Sequence, residues 1–344
     1  MEDSLLYELT KNHGSISLAG MCKNAGKTTV LNRLLKELGQ QNVPIGITSI
    51  GRDGESTDLV TGTYKPRIYV REGTIFATAS GLLGNCDATR EILKTTGIHT
   101  PLGEVILLRA ISDGFIDLAG PSMNQQLVEI SGMFREYPIE KILIDGAISR
   151  KSLCSRRVAD AAILCTGASY HMNMQTVITD TAYISTIMQL ERKVNEKVDL
   201  AIRQWRDKKG ATDKLFFLNW NGESGSVEAG QSLVDAMRNK ENKEYPVIWL
   251  EGALTDSLFR PLLMSNVSGK GIHFVAEDSS KLLLSRDVYE KILQKGATFS
   301  VLEEIQLLAI TVNPFSAYGN HFDKQEFAEK MQEAVKLPVI DVMN

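Results

Sequence analysis

The stretch that most restricts what this chain can fold into is residues 15–41, SISLAGMCKNAGKTTVLNRLLKELGQQ. Its first residues form a short apolar run, and Val30, Leu34, Leu35 and Leu38 then recur at the spacing of one helix face. Between them lies a turn that opens at Gly20 and closes at Gly26. A strand that runs through a tight glycine turn into a helix is the opening half of a strand-helix-strand crossover. It predicts an α/β fold with a mainly parallel sheet flanked by helices.

The same turn ends in Gly26-Lys27-Thr28. A regular phosphate-binding turn reads Gly, four residues, Gly-Lys-Ser/Thr; here that first slot holds Met21 and the glycine stands one place earlier. In such a turn, backbone N–H groups and the positive end of the helix dipole face phosphate oxygens. Lys27 would neutralise the outer phosphates and Thr28 would place its hydroxyl on Mg²⁺. Gly26 would let the backbone come close, Thr29 would add a hydroxyl near the inner phosphates, and Lys23, Asn24 and Ala25 complete the loop. The competing reading is an ordinary capped helix start. Context favours the nucleotide: a strand precedes, a helix follows, and KILIDGA delivers Asp145 at the C-terminal end of another apolar strand. Ligands of open α/β sheets bind at that end, and a carboxylate there can hold Mg²⁺. Taken alone, Asp145-Gly146 is also a common strand-end turn.

Elsewhere strand and helix patterns alternate. VPIGITSI reads as a strand ending in GRDGESTD, and TPLGEVILLRAISDGFIDLAGPS as an antiparallel pair turning at Ser112-Asp113-Gly114, a β-hairpin insertion in the parallel sheet. A helix at NQQLVEISGMFREY, a strand at DAAILCTGA and a helix from about Met174 to Lys193 follow. Charge density rises after Val194 through NEKVDLAIRQWRDKKGATDK, which suggests a nucleotide-binding portion over 1–195. The C-terminal α/β extension, 196–344, carries strands at KLFFLNW, YPVIWLEGA, GIHFVAED, IQLLAITVN and PVIDV, and either continues the same sheet or forms a small second domain.

A formal net charge of -4 argues against general affinity for nucleic acid or anionic membrane, so small molecules and proteins are the expected partners. Cys22, Cys86, Cys154 and Cys165 show no C-x-x-C pair, which points away from a zinc site or disulfide framework. With no secretory leader and no apolar run of about 18 residues, a cytoplasmic protein is expected.

CKNAGKTT, a second strand ending in GRDGE, and ILIDGA together resemble the branch of P-loop NTPases that includes dethiobiotin synthetase and the MinD and nitrogenase-iron-protein ATPases. That resemblance implies a P-loop fold, ATP with Mg²⁺, an added phosphate-loop lysine matched by Lys23 one place late, and dimerisation across the nucleotide as a homodimer. It implies an acidic residue near metal or water at Asp53, with Asp58 nearby, and a base-reading asparagine at Asn219. Each also reads as a polar turn, Arg52-Asp53-Gly54 in one case and Asn219 before Gly222 in the other. No Asn/Thr-Lys-x-Asp guanine signature follows a suitable strand, which favours ATP over GTP.

Over most of its length, through GMCKNAGKTT, TPLGEVILLRA, LAGPS, ILIDGA and VNPF to PVIDV, the chain is similar to the small ATP-binding subunits of reactivating factors for the adenosylcobalamin enzyme lysine 5,6-aminomutase. This likeness implies an ATPase acting with a larger reactivase subunit and the cobalamin-dependent aminomutase, so that damaged cobalamin leaves. The alternative is a dethiobiotin-synthetase-like ligase phosphorylating a small carboxylate; a metal-insertion chaperone would call for Cys/His ligand pairs. The basic run SRKSLCSRR, 149–157, is a candidate nucleotide-sensing switch or a solvated loop. His171, with Asn173, Gln175 and Thr179 at a strand-to-helix junction, is a candidate acid or base, or a helix-capping residue.

Overall fold

The computed structural model describes residues 4–51, 67–146, 155–208, 215–225 and 230–343. The chain divides into two compact units, Met1–Ser185 with Ile305–Asn344, and Thr186–Glu304. It opens with α1 (Leu5–Thr10), β1 (Ser15–Gly20), α2 (Lys27–Gln40) and β2 (Ile45–Ser49). Then come β3 (Ile68–Val70), β4 (Ile75–Ala79), β5 (Arg90–Thr100), β6 (Gly103–Ala110), β7 (Gly114–Ile116), α3 (Asn124–Phe134), β8 (Lys141–Asp145), β9 (Ala161–Gly167) and α4 (Met174–Met188). The second unit supplies α5 (Glu196–Lys208), β10 (Leu215–Leu218), α6 (Leu233–Arg238), β11 (Val247–Leu250), β12 (Leu254–Thr255), α7 (Asp256–Met264), β13 (His273–Asp278), β14 (Leu282–Leu283), α8 (Arg286–Gln294) and β15 (Thr298–Glu303). The chain then returns to the first unit as β16 (Gln306–Asn313), α9 (Lys324–Ala334) and β17 (Val339–Asp341).

Among the described residues the first unit builds a nine-stranded sheet in the order β17-β16-β9-β1-β8-β2-β4-β6-β5. From β17 to β4 every neighbouring pair is parallel, and β6 and β5 close the sheet as an antiparallel hairpin. Strands β1, β2, β4, β8 and β9 are buried along their whole length, because parallel strands are covered on both faces and carry apolar side chains on both. Residues alternate between the two cores. Leu143 and Phe76 pack with Leu6 of α1 and with Val30, Leu34 and Leu38 of α2, whereas Ile142, Ile144, Ile75 and Ala77 pack with Leu127, Ile130 and Phe134 of α3.

A buried lysine ties the N-terminal helix to this sheet. The Lys141 ammonium, 6% exposed, donates to the carbonyls of Thr10, Lys11 and His13 at 2.8, 2.6 and 2.5 Å. It thereby satisfies carbonyls that the end of α1 leaves open. Burial pushes its pKa below the ordinary lysine value.

The expected hairpin shifts. The pair is β5 with β6, turning at Pro101-Leu102, and the Ser112-Asp113-Gly114 corner instead leads into β7, which pairs with β3. The tighter turn wins because Gly103 takes a φ of 100° and the Thr100 hydroxyl bridges it, donating to Gly103 O at 2.9 Å and accepting from Leu102 N at 3.1 Å. LAGPS, which carries no motif chemistry, laces the sheet's C-terminal edge. Gly51 N donates to Pro121 O at 2.7 Å, Ala79 N to Ala119 O at 2.9 Å, and Gly120 N to Ser49 Oγ at 3.0 Å.

The second unit is its own α/β layer, with β10 antiparallel to β11 and β11, β13 and β15 parallel. The division expected at residue 195 leaves 305–344 with the C-terminal portion. Each of the two alternatives for 196–344 describes part of it: β16 and β17 lie in the nine-stranded sheet, beside β9, and Thr186–Glu304 is a unit of its own. Two residues separate β16 from β15, a strand of the other unit that the apolar pattern did not single out. Among the described residues no helix is long and apolar enough to cross a membrane.

Candidate functional site

The turn between β1 and α2 holds two residues in the left-handed region, Asn24 at φ 58° and Gly26 at φ 90°. A side chain at position 26 would be strained by that φ, and a Cβ would come into contact with Asn313 Cβ and Val342 Cγ2 at 3.4 Å. Val30 N donates back to Gly26 O at 3.0 Å, so the helix ladder starts on the glycine. The next residue, Lys27, is 7% exposed although it opens a helix. Its side chain folds back across the turn: a Cβ built on Gly20 would lie 2.9 Å from Lys27 Nζ and 3.0 Å from its Cδ. The glycine that the lysine crosses is therefore Gly20, and position 21 needs none; Met21 extends the strand by donating its N–H to Cys165 O at 2.9 Å.

Asp145 ends β8, which pairs directly with β1, with Asp145 opposite Leu18. Two residues along a strand and one strand across place it about 8 Å from Gly20 between Cα atoms. Residue alternation sets the side. Leu143, two residues before Asp145, and Ile16, Leu18 and Cys165 all belong to the α2 core, so Asp145, Gly20 and Cys165 face α2 and the turn. The 4% exposed carboxylate is thus brought to the lysine's side of the sheet. The Cys165 thiol feels both, the ammonium lowering and the carboxylate raising its pKa, but burial dominates and pushes it up to about 11. Cys22 in the turn is likewise pushed up to about 11 by burial, against the lowering effect of Lys27. With burial raising both, the thiol form of each is favoured near neutral pH.

A residue outside the expected set completes the wall. Asn313 ends β16 in register with Gly167 of β9; its Nδ2 donates to Asn24 O at 3.3 Å and its Oδ1 accepts from Phe315 N at 3.0 Å. The sequence signal was ITVNPF, an apolar strand delivering an asparagine at its end, the same pattern that singled out Asn219.

The other candidates fall outside this cluster or serve local structure. Asp53 and Asp58 lie outside the described residues, as do Arg150, Lys151 and Cys154 of the basic run; Arg156 and Arg157 are exposed. Lys23 is exposed on the turn, with Thr28 and Thr29 half-buried behind it. Asn219 belongs to the second unit, and its carboxamide is used within its own turn. Oδ1 accepts from Asn221 N and Glu223 N, both at 3.0 Å, and Nδ2 donates to Glu223 Oε2 at 2.6 Å. His171 accepts through Nδ1 from Asn173 N at 2.9 Å, and Asn173 Oδ1 caps α4 by accepting from Thr176 N at 3.1 Å.

The chain matches no family model, no curated protein and no solved structure.

Proposed function

We propose that this chain is an ATPase whose nucleotide sits on the 20–29 turn. The observation that carries the reading is the buried Lys27 folded back across Gly20 on the same side of the sheet as Asp145. A lysine withdrawn from water at a helix start has little structural reason to be there; an anion held by the N–H groups of α2 supplies one. Asn24 Nδ2, a buried donor without a hydrogen-bond partner, adds a further unmet need for an acceptor in the loop.

In this reading the residues present fit a Mg²⁺-nucleotide. Thr28 and Asp145 would hold the metal, which when bound would supply positive charge to the phosphates. The chain's part is electrostatic and positional. The Lys27 ammonium balances charge on the transferring phosphoryl group, the α2 N–H groups fix the phosphate oxygens, and pairing of β8 with β1 and β2 keeps Asp145 in place. The favoured task is that of the ATP-binding subunit of a reactivating factor for a cobalamin-dependent aminomutase, acting with a larger subunit. An inserted unit of more than a hundred residues, Thr186–Glu304, supports partner work over the alternative, a small-carboxylate ligase. Turnover of MgATP by the purified chain, measured alone and then with the mutase and the larger subunit, tests the assignment. Turnover that rises in the complex with recovery of mutase activity supports it, and phosphorylation of a small carboxylate without partners refutes it.

A further inference from the structure

Asn313 makes two bonds that join different parts of the first unit. Because Phe315 N can only donate, the carboxamide oxygen must face it at 3.0 Å, which turns Nδ2 toward Asn24 O at 3.3 Å. The approach of the two strands is close: at Gly167, the facing residue of β9, a Cβ would lie 2.3 Å from Asn313 O and 2.9 Å from Asn313 Cβ. Ala168 N then donates to Asn313 O at 2.9 Å, so the backbone that carries the carboxamide is held against the end of β9.

The consequence for the turn follows from peptide geometry. The bond after Asn24 is trans, so its C=O and the N–H of Ala25 point in opposite directions. Holding the carbonyl against Asn313 turns the Ala25 N–H away from β16. It also supports Asn24 in a left-handed conformation that a non-glycine residue leaves readily.

We propose that Asn313 is the positioning residue of the phosphate turn, holding the Asn24–Ala25 peptide with its N–H presented to the phosphates. This rests on the nucleotide reading above. The role concerns the phosphate chain and is indifferent to the base. It extends beyond the turn: Asn313 also anchors the 314–321 segment, which Ala317 N ties to Ser169 Oγ at 3.3 Å.

The test uses the full chain and three probes with Mg²⁺: ATP, GTP and inorganic tripolyphosphate. Asn313→Asp keeps the acceptor for Phe315 N but removes the donor and sets a negative charge against Asn24 O. Affinity for all three probes should fall by the same factor, roughly tenfold, with the melting temperature close to wild type. Equal affinity of variant and wild type overturns the proposal. Loss confined to ATP also overturns it, since Asn313 would then touch the base. Should Asn313→Asp not fold, Asn313→Ser, which keeps a hydroxyl acceptor, is judged by the same pattern. If wild type and Lys27→Ala alike bind none of the probes, the nucleotide reading itself fails and the role of Asn313 falls with it. If wild type binds and Lys27→Ala does not, the nucleotide reading stands, and the Asn313 variants alone decide the positioning role.

Discussion

Replacing Gly20 by alanine separates two registers of the phosphate turn. The regular spacing assigns the critical glycine to position 21, whereas the lysine crosses position 20. Gly20 lies in β1 and its φ is not positive, so alanine suits the backbone and only the added methyl acts. That methyl would sit 2.9 Å from Lys27 Nζ, 3.0 Å from Lys27 Cδ and 3.2 Å from Cys22 O. The lysine tail can give way but the carbonyl cannot without moving the turn, so the ammonium is pushed several tenths of an ångström off its place. Misplacing a catalytic charge by about 1 Å can cost on the order of 100-fold, so the smaller shift should weaken MgATP binding roughly tenfold, about 1.4 kcal/mol. The fold should lose less than about 1 kcal/mol, a melting shift of no more than about 2–4 °C. Titration calorimetry with MgATP and a thermal melt read the two effects apart, with Met21→Ala as the control. Met21 contributes to the strand by its backbone N–H, so its truncation should change affinity less than about twofold. Full MgATP affinity in Gly20→Ala, or a larger loss in Met21→Ala, would refute the geometry.

One further outcome follows from the proposed function and two from the structure. If Asp145 holds Mg²⁺ as proposed, Asp145→Asn keeps the shape of β8 but loses that carboxylate, so Mg²⁺-dependent turnover should drop on the order of 100-fold, checked by phosphate release at varied Mg²⁺. Lys141→Met should leave the carbonyls of Lys11 and His13 without their ammonium donor and Thr10 O with only His13 N, costing about 1–3 kcal/mol. Hydrogen exchange should then show α1 opening first. In the second unit His273, 5% exposed, bonds Thr298 Oγ1 and Ser300 Oγ at 2.7 Å, and burial, with Lys193 nearby, lowers its pKa below 6.5. The unfolded chain takes up a proton as pH falls through 6.5 while the folded one does not. Stability present above that pH is therefore lost below it, by at most about 1.4 kcal/mol per pH unit; denaturant melts should show this slope in wild type and a shallower one in His273→Gln.

The parallel sheet was legible because its strands are buried on both faces and so appear as unbroken apolar runs, as in SISLAG, KILID and AAILCTG. Strand β5 was not, for the opposite reason. It is the sheet edge, its side chains are mostly exposed or half-exposed, and its sequence REILKTTGIHT mixes charge with apolar residues. The boundary near 304 was hidden. IQLLAITVN reads as a strand, but ATFSVLE just before it was not singled out, so nothing showed that β15 and β16 belong to different units; Glu303-Glu304 stands at the crossing. Charge density rose after Val194, a few residues past the entry into the second unit at Thr186, because α5 carries charged residues around its buried Val198 and Ile202. It could not indicate the return.

The site shows the same asymmetry between local and distant information. Lys27, Thr28 and Gly26 are neighbours in sequence, and a strand-end aspartate is a local pattern, so both halves of the charge arrangement could be read from the chain. What joins them is register. Nothing local says that β8 rather than another strand lies next to β1, or that β16, arriving after the inserted unit, ends beside β9 with Asn313 against the turn. Two strand-end asparagines, in LFFLNW and ITVNPF, are equivalent as patterns. Topology alone makes one a turn residue in the second unit and the other a partner of Asn24. The reading of Gly20 has the same origin: by counting along the sequence it is one place early, but the lysine's path across the turn is set by a left-handed Gly26 that reverses the chain. On the nucleotide reading, a turn one residue longer than the regular spacing still lets Lys27 cross a glycine, because that glycine, Gly20, lies one residue earlier.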